Sequence, residues 1–95
     1  MGWVIKLHKN ARKFLEKLEE KERNKVLNKL KDLKESLEKG VIPWRRLHVR
    51  KLKGEWESYF RMRTGKIRII FEIDIEHNVI WIYNIHYRGG VYKRL

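Results

Sequence analysis

Arg61, Arg63, Arg68, Arg88 and Tyr92 have the residue types and spacing to act on a phosphodiester. Planar guanidinium groups stay charged and match phosphate oxygens two at a time. Aimed at one phosphate, each preorganised donor is worth about 3 to 4 kcal/mol of transition-state stabilisation. Internal cleavage of RNA asks for little more, because the 2′-hydroxyl attacks the adjacent phosphorus and leaves a cyclic phosphate. The protein has to orient the backbone, stabilise charge and manage two protons. Arginine is a poor general base, so Tyr92 or water has to help with the protons. Arg50, Lys51, Lys53 and Lys66 stand beside the arginines in the sequence and read as RNA-binding cations, although Lys51 and Lys53 could equally be exposed lysines in a loop. Residue types and spacing reach a basic, RNA-directed site and no further.

The elements that must position these groups are legible as alternation. In the run from Tyr59, Phe60 and Met62 point one way while Tyr59, Arg61 and Arg63 point the other. Ile67, Ile69, Phe71 and Ile73 then share a face, with Arg68 opposite. If the apolar sets line one core, the three arginines fall together on the outer face. A slip of one residue would bury all three, so the register is well specified. Thr64, Gly65 and Lys66 read as the hairpin turn, and Ile75 to Asn78 as a looser one. In the last strand Val79, Trp81, Tyr83 and Ile85 are expected on one face and Ile80 and Ile82 on the other, the pattern of a strand covered on both sides. Gly89 and Gly90 permit a bend that returns Arg88 and Tyr92 to the sheet.

Upstream, Trp3, Ile5 and Leu7 alternate with polar or smaller residues and predict a first strand. Asn10 is expected to cap a helix whose inner stripe is Ala11, Phe14, Leu15 and Leu18. A break within Glu19 to Glu22 leads to a second helix with Val26, Leu27, Leu30, Leu33 and Leu37 inside, ended by Gly40 with Pro43 beyond. The stretch from Pro43 to Gly54 reads as an irregular crossing, with Trp44 anchoring it. The predicted fold class is α+β: an N-terminal strand, a two-helix antiparallel hairpin, then a three-stranded antiparallel meander completing one sheet. Its 95 residues suffice for one domain with one core.

Charge supports the phosphate reading. The net charge is +12, and it is concentrated: residues 45–68 hold nine basic and two acidic side chains, a net of +7, whereas residues 9–39 hold eleven and seven, a net of +4. Such a field suits a polyanion or an acidic protein. Cysteine is absent, excluding disulfides and thiolate chemistry. The histidines at 8, 48, 77 and 86 show no ligand spacing, so no metal is expected, and no phosphate loop calls for a cofactor. No apolar run approaches the roughly 20 residues of a membrane span, and MGWVIK lacks a signal-peptide pattern, so no membrane association and a cytoplasmic location are expected. The absence of glutamine beside abundant Lys, Glu and Arg leans towards a heat-adapted source.

Three blocks, KLKG at Lys51 to Gly54, YFRMRTGKIRIIFEID at Tyr59 to Asp74 and IHYRGGVY at Ile85 to Tyr92, resemble successive blocks of the RelE/ParE toxin superfamily, closest to RelE. The resemblance spans nearly the whole chain. It implies the toxin of a type II toxin–antitoxin pair, an endoribonuclease that cuts mRNA in the ribosomal A site and is neutralised by a RelB-like antitoxin wrapped around it. By position, Arg61 and Arg63 fall where some members carry lysines for proton transfer or charge stabilisation. Arg68 falls on the sheet arginine that contacts the scissile phosphate, Arg88 on the arginine of the final block, and Tyr92 on an aromatic that orients or activates the 2′-hydroxyl. Arginines at 61 and 63 leave the base unassigned, and Gly89 and Gly90 replace charged residues. The ParE branch, whose members inhibit DNA gyrase without a nuclease site, is the competing expectation, and a non-catalytic RNA-binding module is the third.

Overall fold

The computed structural model describes residues 2–88. The elements in chain order are β1 (Val4–Leu7), α1 (Lys9–Lys17), α2 (Glu20–Glu38), β2 (Arg50–Lys51), a short 3-10 turn (Gly54–Trp56), β3 (Tyr59–Thr64), β4 (Ile67–Asp74) and β5 (Val79–Tyr87). The strands form one sheet in the order β1-β5-β4-β3-β2. β1 runs parallel to β5 and the other pairs are antiparallel. The α+β class and the meander stand as expected. The added element is β2, where two residues of the supposedly irregular crossing extend the sheet beyond β3.

One core joins the helices to one sheet face. Ala11, Leu15, Val26, Leu30, Leu33 and Leu37 from the helices pack with Met62, Ile67, Ile69, Phe71, Ile80, Ile82 and Ile85 from the strands. Phe71, Met62, Ile69 and Ile80 are fully enclosed, and burial of each such side chain stabilises the fold by about 1.5 to 3 kcal/mol. The alternation expected for β3 and β4 places Met62, Ile69 and Phe71 inside, and only the meeting of two apolar faces excludes enough water to fix it.

Four local expectations are corrected. Asn10 lies inside α1; the residue before the helix is His8, whose extended backbone (φ −69°, ψ 158°) already starts it. The break between the helices falls at Leu18 and Glu19, both extended, and Glu20 and Glu22 then stand in the first turn of α2, where negative charge suits the helix dipole. Leu27 is 44 % exposed, because Val26 and Leu30 fill the inner stripe at that level. Ile85 lies on the core face. A register shift between Ile70 and Phe71 pairs Ile70 with Asn84 and Phe71 with Ile82, so Tyr83 is the extra residue of a bulge and alternation restarts beyond it.

Two glycines hold left-handed turns. Gly40 holds a φ of 77° after α2, as a helix-ending residue needs. Gly65 holds a φ of 58° as the first of two loop residues between β3 and β4, the place a II′ hairpin reserves for glycine.

Candidate nucleic-acid site

Register brings basic residues of four strands together on the face opposite the helices. Directly opposed residues share a face. Arg63 on β3 pairs with Arg68 on β4, and Arg68 pairs with His86 on β5, making one row across three strands. Arg50 on β2 pairs with Arg61, which pairs with Ile70, making a second. Arg61 and Arg63 sit two positions apart on β3, about 7 Å along the strand. Arg88 follows β5, and its backbone N–H donates to the Lys66 carbonyl at 2.7 Å, tying it to the β3–β4 turn.

Two adjoining cavities form around this surface. The first, of about 270 Å³, is lined by Lys29, His48, Arg63, Thr64, Gly65, Lys66, Arg68 and Arg88. The second, of about 230 Å³, is lined by Trp44, Arg45, His48, Val49, Arg50, Arg61 and Arg63. Arg63 and His48 border both. Arg68 is only 9 % exposed, while Arg63 and Arg88 are open to solvent. Arg61 is half-buried, and its Nε is buried with no hydrogen-bond acceptor among the described residues. An anionic ligand or an ordered water would satisfy that donor.

Of the sequence-derived set, Arg63, Arg68, Arg88 and Lys66 meet at the first cavity, and Arg50, Arg61 and Arg63 at the second. Lys51 and Lys53 line neither. Lys51 opposes Phe60 and so shares the helix-side face of the edge strand, and Lys53 caps the 3-10 turn in an exposed position. Tyr92, Gly89 and Gly90 lie outside the described residues.

His48, Lys29 and Arg45 were not singled out by the sequence. Lys29 has the look of a solvated helix lysine, and folding alone carries it to the hairpin turn. His48 sits in a connection without periodicity, so nothing local marks it. Its backbone does: φ is 54°, one of two positive values at non-glycine residues among those described. Leu47 and Val49, 2 % and 4 % exposed, are buried on either side of it. The N–H of Val49 donates to the Trp44 carbonyl at 2.9 Å, and that of Leu47 to the Pro43 carbonyl at 3.2 Å. Arg46 donates from Nη2 to Ser36 Oγ at 2.7 Å and lies 3.9 Å from Asp32, fastening the same loop to α2. Trp44 is half exposed and tilts onto Phe60, with ring centroids 5.8 Å apart.

His86 is buried beside Arg68. Burial pushes its imidazole below the ordinary value, the Tyr87 carbonyl works against that, and the Arg68 charge adds to it. Its Nδ1 lies 2.8 Å from that carbonyl, so the proton sits on Nδ1. Farther along the same face, Tyr59, Trp56 and Tyr83 meet at centroid separations of 5.1 to 5.6 Å. Burial, then the charge of Glu72 and then Tyr83, raise the Tyr59 hydroxyl above its usual range. His8 and Trp81 continue this aromatic cluster, and Lys6 Nζ lies 5.3 Å from the Trp81 ring centroid.

Among the described residues no group of three or more His, Cys, Asp or Glu side chains could hold a metal ion, and no helix is long and apolar enough to cross a membrane. The arrangement can grip consecutive phosphates of a polyanion and concentrate positive charge at one of them.

Residues 5–92 match the family model described as ParE toxin of type II toxin-antitoxin system, parDE. A Methanocaldococcus jannaschii protein given the name RelE1 is 33% identical over 93 residues, which cover 98% of each chain. A chain of the archaeal RelE–RelB complex from Pyrococcus horikoshii superposes with a TM-score of 0.76 at 26% identity, over 95% of this chain and 99% of that one. A chain of the RelBE2 toxin–antitoxin complex from Mycobacterium tuberculosis gives 0.73 at 24% identity, over 93% and 100%. The last likeness is one of fold.

Proposed function

Because the chain belongs to the ParE/RelE toxin family of type II toxin–antitoxin systems, we propose that it acts as a ribosome-dependent endoribonuclease that cuts mRNA in the A site without a metal ion. The observation that carries this reading is the convergence of Arg63, Arg68 and Arg88 on one cavity, with Arg61 and Arg50 on its neighbour. In this mechanism Arg68, the most enclosed of the set, contacts the scissile phosphate. Arg63 and Arg88 share the charge that builds on the non-bridging oxygens, while Arg61, Arg50 and Lys66 hold the flanking backbone. The 2′-hydroxyl forms the new bond to phosphorus, the bond to the 5′-oxygen breaks, and the products end in a 2′,3′-cyclic phosphate and a 5′-hydroxyl. Tyr92 orients the 2′-hydroxyl. The partner is a RelB-like antitoxin, a reading supported by the RelE–RelB complexes among the structural relatives.

The test is end mapping on translated messages after induction, with and without the antitoxin. Cuts in frame, bearing cyclic phosphate and lost when the cleaved nucleotide is 2′-deoxy, support the reading. Unchanged cleavage by Arg68→Ala and Arg88→Ala removes the arginines from the mechanism. One observation favours a second reading: the matched family model is that of ParE. A gyrase supercoiling assay showing inhibition by this chain, with no transcript ends, would establish it.

A further inference from the structure

We infer that His48 is the proton acceptor of this site, a role that rests on the nuclease reading above. The reaction needs a group that accepts a proton near neutral pH, and the charged residues at hand do not provide one. Lys29 from α2, Arg63 from β3, Lys66 from the turn, Arg68 from β4 and Arg88 after β5 are the charged neighbours on one side of His48. Arg45, Arg50 and Arg61 are those on the other. All are cations that hold their protons. Imidazole is, among the described lining side chains, the one whose ring nitrogen offers a lone pair to a proton.

Position adds a second argument. His48 borders both cavities together with Arg63, so it stands where the two adjoin. Its left-handed backbone is strained in a residue other than glycine. Buried Leu47 and Val49 enforce that conformation from either side, with the result that His48 is held outward at a fixed place. Histidine is among the residues that tolerate this region, but glycine would do so without cost. The fold therefore keeps an imidazole where backbone alone would prefer none.

In the step proposed, an imidazole nitrogen takes the 2′-hydroxyl proton as the bond from that oxygen to phosphorus forms. The bond to the 5′-oxygen breaks, water protonates the departing oxygen, and the imidazolium returns its proton to solvent. Charge and protons balance with no further reagent.

Single-turnover cleavage of mRNA on programmed ribosomes tests this, with wild type, His48→Gly, His48→Asn and Arg68→Ala side by side. The glycine variant relieves the strained φ and melts no lower than wild type, which separates chemistry from folding. Its rate is expected to fall about 10²- to 10⁴-fold. Added imidazole should restore at least part of the loss, and the wild-type fall in rate on acidification should be missing from both His48 variants. His48 variants that cut within about threefold of a wild type whose Arg68→Ala form is inactive overturn the histidine's role and leave the nuclease standing. A loss that imidazole does not relieve, with the acid limb retained, overturns it too. A wild type that cuts nothing overturns both.

Discussion

Replacing Arg68 by methionine separates what this residue does for the reaction from what it does for the fold. Methionine keeps most of the length and removes the charge. Arg68 is 9 % exposed and stands directly opposite Arg63, with His86 on its other side. Two like charges about 6 Å apart repel by roughly 3 kcal/mol at an effective dielectric of 20 and by under about 1 kcal/mol in water. Arg63 is solvent-exposed, so the lower part of that range applies, about 1 kcal/mol. Relief of that repulsion works against the loss of the contacts that Arg68 makes with its other neighbours. The expected result is a cleavage rate on ribosome-bound mRNA lowered about 10²- to 10³-fold, the cost of one preorganised donor, with a melting temperature that stays within about 4 °C of wild type. Thermal unfolding followed by circular dichroism and single-turnover cleavage measure the two quantities. A variant that loses both activity and more than about 4 °C of melting temperature would refute the reasoning, since Arg68 would then be a structural member of the sheet.

Ile69→Ala removes a fully buried side chain at the centre of the core, and urea unfolding should show a loss of about 2 to 5 kcal/mol. Gly65→Ala forces a φ of 58° on a side chain at the hairpin turn; nothing crowds the added methyl, so the expected loss is the backbone strain alone, about 1 kcal/mol. His86 has its folded-state value lowered, so the unfolded chain binds a proton first as pH falls below the ordinary 6.5. Stability should therefore drop on acidification through that value and level off below the folded one. His86→Gln should flatten this dependence in urea titrations compared across pH.

How far the sequence could be read depended on whether a local rule was also the global one. Alternation in β3 and β4 places Met62, Ile69 and Phe71 inside and the three arginines outside, because those strands keep an unbroken period of two. The same rule fails at Ile85, where the bulge at Tyr83 inserts one residue without any mark in composition. Two-residue β2 escapes notice because its pairing depends on the β3 edge and not on any pattern of its own. Arg63, Arg68 and Arg88 could be grouped from sequence since their strands are consecutive. His48 could not, as its place beside them depends on buried neighbours and a left-handed turn that only the packed chain defines.

The parallel pairing of β1 with β5 bears on how the molecule is assembled during synthesis. Val4 lies beside Val79, so a strand translated early waits for a partner made about 75 residues later. The meander can zip from neighbour to neighbour, but the N-terminal strand must close a loop spanning most of the polypeptide, the slow kind of contact. Until then the nascent sheet keeps an open edge at β5. Completion of the sheet therefore waits on synthesis of β5, and β1 stays unpaired until that strand has been made.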